Sequence, residues 1–400
     1  MSRLPPALQP AWPLLKRLHR LLALVAGVLF RRVSPLLGER GLPRDATTSS
    51  ADTARREPGA VTLHPAGPAE AIRRGRPVGE PPRHWVFEQR AAAEIPPRYV
   101  LEVRGGTVTG DFGAASTPGK LLDYQTSGYF GLAGWREHPL FLRPDLGRVE
   151  HVDGTLLSLA ARGAATNYYH FLYDAIGRYG ILEEALPGER PDAVVIPHQT
   201  GYQRQLIAMV GLDLPLLQPR PRHTFRADRL LVPSTPNQDL DAPRSTVEWL
   251  RKRLPPRSTG DGPRRLYLSR GQQPGSRRYL QEPALWPALE RRGFVVLDPG
   301  KLSVQEQIDV FHGAEVVVAP HGAALTNITF GSPGLRVLEL FAPTYVHLGL
   351  WAIAEAVDGI EYRYLVGDGP TREGRPMTGI LDDISIPADR VEAAVDELLA

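Results

Sequence analysis

The second half of this 400-residue chain alternates short, apolar, β-branched segments with helix-forming segments. The strand candidates are Arg265–Leu268, Phe294–Leu297, Glu315–Val318, Val337–Phe341 and Tyr362–Val366. Strands that alternate with helices pair in parallel and are covered on both faces, so this order predicts a parallel α/β sheet. One of the helices has a clear start, because Ser303 and Glu306 form a capping box.

The first half is predicted to mix α/β units with β-hairpins. A long helix is expected from about Asn167 to Leu186, followed by further strands and helices. The pairs Gly105-Gly106 and Asp153-Gly154 each stand between β-type runs, as the turn residues of a hairpin do. Because 400 residues exceed the size of one simple core, the chain is expected to form two domains.

We therefore predict an N-terminal domain over 83–258 and a C-terminal domain over 259–386. An amphipathic helix over 387–400 follows them. Residues 1–82 are predicted to hold a helix and then a flexible linker.

The N-terminal segment allows two interpretations. The uncharged run Leu21–Phe30 has Lys and Arg on both sides, and Pro35–Pro82 is rich in Pro, Gly, Ala, Ser and Thr. Ten apolar residues are too few to span a bilayer, which takes about 20. A helix with basic flanks over 14–32 would lie on a membrane surface. Alternatively, the helix packs on the body of the protein.

The composition excludes several classes of site. With no Cys there is no disulfide, no Cys-based zinc site and no thiol nucleophile. The dinucleotide, P-loop, zinc-protease and nucleophile-elbow motifs are absent. Basic residues do not interleave with aromatic ones, which argues against nucleic acid as a partner. Asp239-Leu240-Asp241 is a weak D-x-D pattern, and we expect neither a metal nor a cofactor.

The segment Glu315–Asn327 (EVVVAPHGAALTN) predicts a phosphate site. An apolar strand ends there in a tight turn, and small residues begin a helix. Backbone N–H groups and the helix dipole at such a junction bind anions. The residues that would hold the phosphate are His321, Gly322, Ala323, Thr326 and Asn327. The alternative is an ordinary tight turn in which His321 is a structural hydrogen-bonding residue.

Two more strands end in polar residues. RLYLSR closes with Ser269 and Arg270, and Arg277 and Arg278 follow. A guanidinium at a strand end suits a diphosphate. Glu339, within RVLELF, could accept hydrogen bonds from ribose hydroxyl groups. The alternatives are a surface arginine in an Arg-rich chain, and a carboxylate in an ion pair or at a solvated strand end.

The helix NYYHFLYDAIGR carries a polar ridge. His170, Asp174 and Arg178 are spaced four residues apart and share one face, and Asn167 lies close to it. Asp174 could act as a general base, with His170 shaping its pKa or contacting a substrate. The alternative is a solvated helix face with ordinary side-chain pairs.

Together these segments resemble glycosyltransferase family 61. The motifs NYYHFLYDAIGR, RLYLSR, GFVVLDPGKLSVQEQIDVFHGAEVVVAPHGAALTN and PGLRVLEL stand in the family's order within about residues 150–345. The resemblance implies a GT-B fold, in which two Rossmann-like domains face each other across a cleft. The second domain would bind a nucleotide sugar, with the diphosphate on the predicted phosphate site and Arg270, and the ribose on Glu339.

The resemblance also implies roles for the other residues and a setting. Asp174, with His170 close by, would deprotonate a glycan acceptor hydroxyl; the alternative is that His170 is itself the base. Asn167 and Arg178 would lie on the acceptor side. Transfer would be inverting and metal-independent, from a uridine diphosphate donor, in surface or capsular polysaccharide synthesis. The enzyme would be cytoplasmic, peripheral on the inner face of the cell membrane. The alternatives are a sugar-nucleotide epimerase or hydrolase of the same fold, and a non-catalytic scaffold.

Overall fold

A computed structural model describes residues 12–129, 131–132, 134–258, 262–271, 276–369 and 379–400. The helices are α1 (Trp12–Val33), α2 (Ser50–Arg56), α3 (Trp85–Glu88), α4 (Tyr168–His170), α5 (Gly177–Ala185), α6 (Gly201–Met209), α7 (Arg244–Arg253), α8 (Glu282–Arg291), α9 (Val304–Gly313), α10 (Gly349–Ala356) and α11 (Ala388–Leu399). A π-helical turn, Phe171–Ile176, joins α4 to α5. Short 3₁₀ helices are Ser34–Arg40, Trp135–Glu137, Pro139–Leu142, Pro299–Lys301 and Ala323–Phe330.

The strands form two main sheets. They are β1 (Asp45–Thr47), β2 (Val61–Gly67), β3 (Glu70–Arg73), β4 (Val78–Glu80), β5 (Ala92–Ile95), β6 (Arg98–Arg104), β7 (Thr107–Thr109), β8 (Ala114–Ser116), β9 (Leu121–Asp123), β10 (Arg148–Ser158), β11 (Ala193–Val195), β12 (Leu216–Leu217), β13 (His223–Pro233), β14 (Arg265–Leu268), β15 (Val295–Leu297), β16 (Val316–Pro320), β17 (Arg336–Phe341) and β18 (Glu361–Val366). One sheet has ten strands, the other has six, and β3 pairs only with β5.

The six-stranded sheet is parallel throughout, in the order β15-β14-β16-β17-β18-β4. Val316 and Val318 face a core that includes side chains of α8 and α11, whereas Val317 and Ala319 face the opposite core. Successive residues of a strand point to opposite faces, so a strand buried on both sides is apolar throughout. The predicted parallel sheet is confirmed, and so is the capping box of Ser303 and Glu306 at the start of α9.

The ten-stranded sheet has a parallel centre and antiparallel additions. Strands β13, β10, β11 and β12 run parallel to one another. Strands β6 and β7 both run antiparallel to β13, and β2 pairs with β6. The long helix predicted in this half forms as α4, the π-helical turn and α5, which pack under the sheet.

The two predicted hairpins do not form. Gly105 and Gly106 connect β6 to β7, but the two strands pair one after the other with the same edge of β13 and not with each other. Asp153 and Gly154 lie inside the single strand β10, where the pairing register with β13 shifts. Gly154 has φ +79° and Gly105 has φ +64°. A glycine at positive φ serves a bulge as well as a hairpin turn, so the dipeptides alone do not distinguish the two.

The predicted flexible linker is also wrong for most of its length. Strand β2 joins the ten-stranded sheet through β6, and β4 forms the edge of the six-stranded sheet beside β18. The tyrosine Tyr364 on β18 donates a hydrogen bond to the carbonyl of Pro81 (2.6 Å). Residues 61–82 therefore belong to both sheets. Pro- and Gly-rich composition did not predict this pairing, because the partner strands lie far along the chain.

The apolar run at the N-terminus is part of a longer helix than expected, because α1 has 22 residues. By length and composition alone, the segment Arg20–Arg40 is long and apolar enough to cross a membrane, and 11% of it is buried. At the other end of the chain α11 has the predicted bounds. Val391, Val395 and Leu398 of α11 pack into the core of the six-stranded sheet.

One hydrophobic core joins the two sheets. Tyr168 donates a hydrogen bond to Asn327 Oδ1 (2.9 Å), and the hydroxyls of Tyr173 and Thr329 are 2.8 Å apart. These contacts tie the helix that carries the π-helical turn to the segment after β16. The predicted boundary at 258/259 borders residues 259–261, which lie outside the described residues.

Candidate active site

The π-helical turn positions two of the predicted site residues. It begins directly after His170 and carries Asp174, and such turns widen a helix locally and are frequent at functional sites. Nδ1 of His170 lies 2.6 Å from Oδ2 of Asp174, and both side chains remain partly exposed, at 16% and 18%. A carboxylate can only accept, so Nδ1 carries the proton and Nε2 is the basic nitrogen of the imidazole.

The second oxygen of Asp174 is held by Asn237, whose Nδ2 donates to Oδ1 at 2.7 Å. Asn237 is itself oriented, because its Oδ1 accepts from the Tyr169 hydroxyl (3.3 Å) and from the backbone N–H of Ala242 (3.0 Å). We call His170, Asp174 and Asn237 the helix wall. Both oxygens of Asp174 accept hydrogen bonds from protein, so the basic atom that this wall presents is His170 Nε2.

Gly163 makes room for the imidazole of His170. Its φ is +84°, and a Cβ there would stand 2.7 Å from His170 Cδ2. Any other residue would be strained and would displace the ring. Beside the imidazole lies a cavity of about 280 Å³, which is also lined by Asp174, Tyr124 and Tyr129.

Two residues predicted to lie on the acceptor side are structural. Arg178 is 2% exposed, and its guanidinium donates to the carbonyls of Pro233 (2.6 and 3.0 Å) and Ala160 (3.2 Å). Arg178 is four positions after Asp174, a spacing that places both on one face of a regular α-helix. Because the wider π-helical turn lies between them, Arg178 faces the core instead. Asn167 is the N-cap of α4, and its side chain accepts from the His170 N–H at 3.3 Å.

A second cavity, of about 350 Å³, opens at the carboxyl ends of β14 and β16. Ser269, Arg270, Asp298 and Gly322 are among the residues that line it. Open parallel sheets bind ligands at this edge. The Ser269 hydroxyl donates to Glu282 (2.8 Å) and accepts from the Gly271 N–H (3.0 Å), so it shapes the turn.

Two arginines converge at this edge. Burial and the nearby charge of Arg277 lower the pKa of Arg270 to about 10. Burial is also the main cause that lowers the pKa of Arg277. Within the described residues, neither guanidinium forms an ion pair, and the buried Nε of Arg277 has no hydrogen-bond partner. Two half-buried like charges repel each other, and an anion would satisfy both. Arg278, in contrast, is paired with Asp383 (2.9 Å).

Gly322 makes room for the Arg270 side chain, which is a different role from the predicted one. A Cβ at this position would lie 2.0 Å from Nη1 of Arg270. The missing side chain therefore lets the guanidinium lie against the turn, whereas the sequence suggested room for a phosphate. Arg270 is held from its other side, because its Nε donates to the Ser276 carbonyl at 2.6 Å.

His321 follows β16 and is anchored by Glu339 on the neighbouring strand. Its Nδ1 lies 2.5 Å from Glu339 Oε1, and the Tyr362 hydroxyl donates to Oε2. Glu339 is fully buried, which raises its pKa to about 8, so it is protonated at neutral pH. Burial, followed by the charges of Arg277 and Arg270, lowers the pKa of His321 well below its usual value. We call Arg270, Arg277, His321 and Gly322 the arginine wall.

The buried carboxyl corrects the ribose assignment. Both oxygens of Glu339 are bonded to protein and none of its surface is exposed, so it orients His321 and does not face a ligand. Asn327 is likewise buried, and its amide donates to Gln307 (2.9 Å). Thr326 is buried as well, with Oγ1 unpaired. Of this segment, Gly322 and Ala324 line the cavity, and Ala323 begins the 3₁₀ helix.

His347, in the loop before α10, lies within electrostatic reach of both walls. Its ring centroid is 5.4 Å from that of His321. Burial, followed by His321 and then His170, lowers its pKa to about 3. Its Nδ1 accepts from the Gly349 N–H (3.2 Å), so the neutral ring carries its proton on Nε2. Sequence reasoning missed His347 and Asn237, and the local sequence around them has no motif.

The second aspartate of the D-x-D pattern, Asp241, has a structural role. Asp241 is buried and forms ion pairs with Arg74 (3.0 Å) and Arg90. Among the described residues, no cluster of three or more His, Asp or Glu side chains could hold a metal ion. A further cavity of about 470 Å³ borders Asp241, but the charged residues beside it, such as Arg98 and Glu70, are paired with each other.

Comparison with known proteins supports the sequence resemblance. A family profile described as Glycosyltransferase 61 matches residues 168–338, which include every residue of both walls. No curated protein sequence matches the chain. Among solved structures 17 chains match, including E. coli heptosyltransferase WaaC with ADP, at 11% identity and a TM-score of 0.29. That alignment covers 62% of this chain and 100% of the heptosyltransferase, and at this TM-score it carries no argument.

Proposed function

This chain is a glycosyltransferase with a family 61 domain, and from that premise we propose that it moves a sugar from a nucleoside diphosphate to a glycan hydroxyl group with inversion. The observation that carries the proposal is the pairing of two unlike walls. One holds two half-buried guanidinium groups without a carboxylate partner among the described residues, and the other presents a histidine oriented by a carboxylate.

On the arginine wall, Arg270 and Arg277 would bind the diphosphate and neutralise the charge that develops as it leaves. Because Glu339 is protonated at neutral pH, it does not cancel these two charges. His321 would add an N–H donor, since its Nδ1 is held by Glu339.

On the helix wall, His170 Nε2 would take the proton from the acceptor hydroxyl as its oxygen bonds to the anomeric carbon. The bond from that carbon to the diphosphate oxygen breaks on the opposite face, which inverts the configuration. Asp174 holds the imidazole and stabilises the cation that forms, as carboxylates do in other histidine pairs. This exchanges the roles predicted from the sequence, where Asp174 was the preferred base.

We also propose the GT-B arrangement, with the two sheets as its halves and the site at their carboxyl ends. Uridine diphosphate as the carrier, and a role in surface polysaccharide synthesis, are predictions from the family resemblance. The domain boundaries at 83, 259 and 387 are proposals of the same kind. Strand β4 lies before residue 83 but pairs with β18, so the second domain would also include β4.

Thermal unfolding with added nucleoside diphosphates, in the presence of EDTA, tests the donor site. We expect one diphosphate to raise Tm, since a ligand at 100 times its Kd adds about 2.7 kcal/mol. Arg270→Ala and Arg277→Ala should each weaken binding roughly 10- to 100-fold, the value of one charge-assisted hydrogen bond.

The matched control is Arg264→Ala, because Arg264 is exposed and paired with Glu315 at the other end of the sheet. It should bind like the wild type. If no diphosphate raises Tm, or if Arg264→Ala weakens binding as much as the other two changes, the proposed donor site is wrong. Release of free sugar without transfer to any acceptor would indicate a hydrolase.

A further inference from the structure

Helix α1 presents an apolar stripe to solvent. Residues three and four positions apart share a helix face, and those on this face are 42–71% exposed. They are Leu14, Leu18, Leu21, Leu22, Val25, Val28 and Leu29. Soluble proteins seldom leave so large a contiguous apolar surface uncovered. We call these seven residues the α1 stripe.

The opposite face of α1 is docked on the protein. A Cβ at Gly27 would lie 3.1 Å from the Phe141 carbonyl oxygen, so the helix backbone is close to the short helices over 135–142. The guanidinium of Arg31 lies over the rings of Trp135 (5.3 Å) and Phe141 (5.1 Å). With one face bound to protein, the helix cannot be surrounded by lipid in this position, as a spanning helix would be.

The charge of this segment selects among the surfaces that could cover the stripe. The first 38 residues contain six Lys or Arg and no Asp or Glu. Arg17 and Arg32 on α1 are exposed. A second copy of this face would bring like charges together in a symmetric dimer, which opposes association. An apolar stripe with basic residues and no acidic ones matches an anionic lipid surface.

The α1 stripe is connected to the cavity beside His170 through one small core. Phe30 and Trp135 pack in the same hydrophobic cluster as Tyr124 and Tyr129, which line that cavity. His138 at the centre of the cluster lies edge-on to both tyrosines, with ring centroids 6.2 and 5.7 Å away. The surface that would contact lipid and the wall of the acceptor cavity are therefore parts of one packed unit.

We propose that α1 lies flat in the interface of an anionic lipid membrane, and that the acceptor is a glycan carried on a lipid of that membrane. The second part rests on the proposed glycosyltransfer. A docked α1 would hold the acceptor cavity close to the lipid surface, where only a membrane-attached glycan is concentrated.

Sedimentation of the full chain with vesicles tests the membrane contact. Vesicles of phosphatidylcholine with 30% phosphatidylglycerol would be compared with pure phosphatidylcholine. We expect the wild type to bind the anionic vesicles, less so at high salt, and the double change Leu22→Glu and Val25→Glu to lower binding at least tenfold. Both positions are exposed, so folding is not disturbed.

The matched control is Val295→Glu with Val296→Glu, two residues 45% exposed on the edge strand β15. It should bind vesicles like the wild type. Equal binding by the α1 variant would overturn the proposal. A wild-type dimer that the α1 variant converts to a monomer would show that a second copy covers the stripe.

Radiolabelled nucleotide sugars added to membranes of the cells that contain the chain test the acceptor. We expect wild type and control to place label in the chloroform–methanol phase, and the α1 variant to place at least fivefold less. Label that stays in the aqueous or protein fraction would overturn the lipid-linked acceptor. If no fraction is labelled while the wild type still binds vesicles, the proposed transfer is wrong and the membrane contact stands.

Discussion

The two walls of the site handle charge in opposite ways. On the arginine wall, two half-buried guanidinium groups lie near each other with no carboxylate to pair with among the described residues. On the helix wall, the two carboxylate oxygens of Asp174 accept hydrogen bonds from His170 and Asn237. The first wall is therefore incomplete until an anion binds, and the second is already assembled.

This difference predicts that changes to the arginine wall affect nucleotide binding, whereas changes to the helix wall affect kcat. Removing a group from the arginine wall should weaken the binding of the nucleotide, because a charge that the ligand needs is lost. Removing a group from the helix wall should lower kcat with little change in nucleotide binding, because the histidine acts only as the bond forms. The arginine variants above test one side of this separation.

The largest expected effect is on the helix wall. His170→Ala should lower kcat about 10³-fold, within the range of lost general-base catalysis, while the nucleoside diphosphate still raises Tm as in the wild type. Asp174→Asn should lower kcat less than His170→Ala, because the imidazole stays but is held in the wrong tautomer. If Asp174→Asn is the more damaging change, Asp174 is the base and the assignment is wrong.

A smaller effect is expected at His347, which lies within electrostatic reach of both walls. His347→Ala removes an N–H donor near His321 and should lower kcat about tenfold, the worth of one hydrogen bond in the transition state. His347→Gln can still donate and should retain most of the activity. Steady-state kinetics at saturating donor make the comparison. Equal losses in the two variants would mean that the ring only fills space.

A separate effect, on stability and not on kcat, concerns the buried carboxyl behind the arginine wall. The pKa of Glu339 is raised to about 8 in the fold, above its usual 4.5, so the folded state holds its proton more tightly. Stability from this group is fully present below about pH 4.5 and is lost as pH rises to about 8.

Glu339→Gln removes this dependence. Relative to the variant, the wild type should lose unfolding free energy by up to about 1.4 kcal/mol per pH unit between the two pKa values. Urea unfolding at pH 5, 6.5 and 8 measures the difference. A constant difference over that range would mean that Glu339 is already ionised at pH 5.

The sequence predicted the parts of the molecule that short segments determine. Strands β14 to β18 lie within two residues of their predicted bounds, because each is a short and largely apolar run. His170 and Asp174 are brought together by one helix turn. Asn237, Arg277 and His347 reach the site from loops placed by tertiary packing. Glu339 was recognised but misassigned, since its partners His321 and Tyr362 become neighbours only when the parallel strands align.

Strand β4 has a consequence for how the protein is made. Its flanking residue His84 bonds Tyr364 of β18, 280 positions later, so the edge strand of the second sheet leaves the ribosome long before the strand that it pairs with. At 5–20 residues per second the interval is on the order of 15 to 60 seconds. During that time Val78–Glu80 has no place in a sheet, and closing the six-stranded sheet requires nearly complete synthesis. A nascent chain that stops before residue 361 should therefore be a ready substrate for proteases and chaperones.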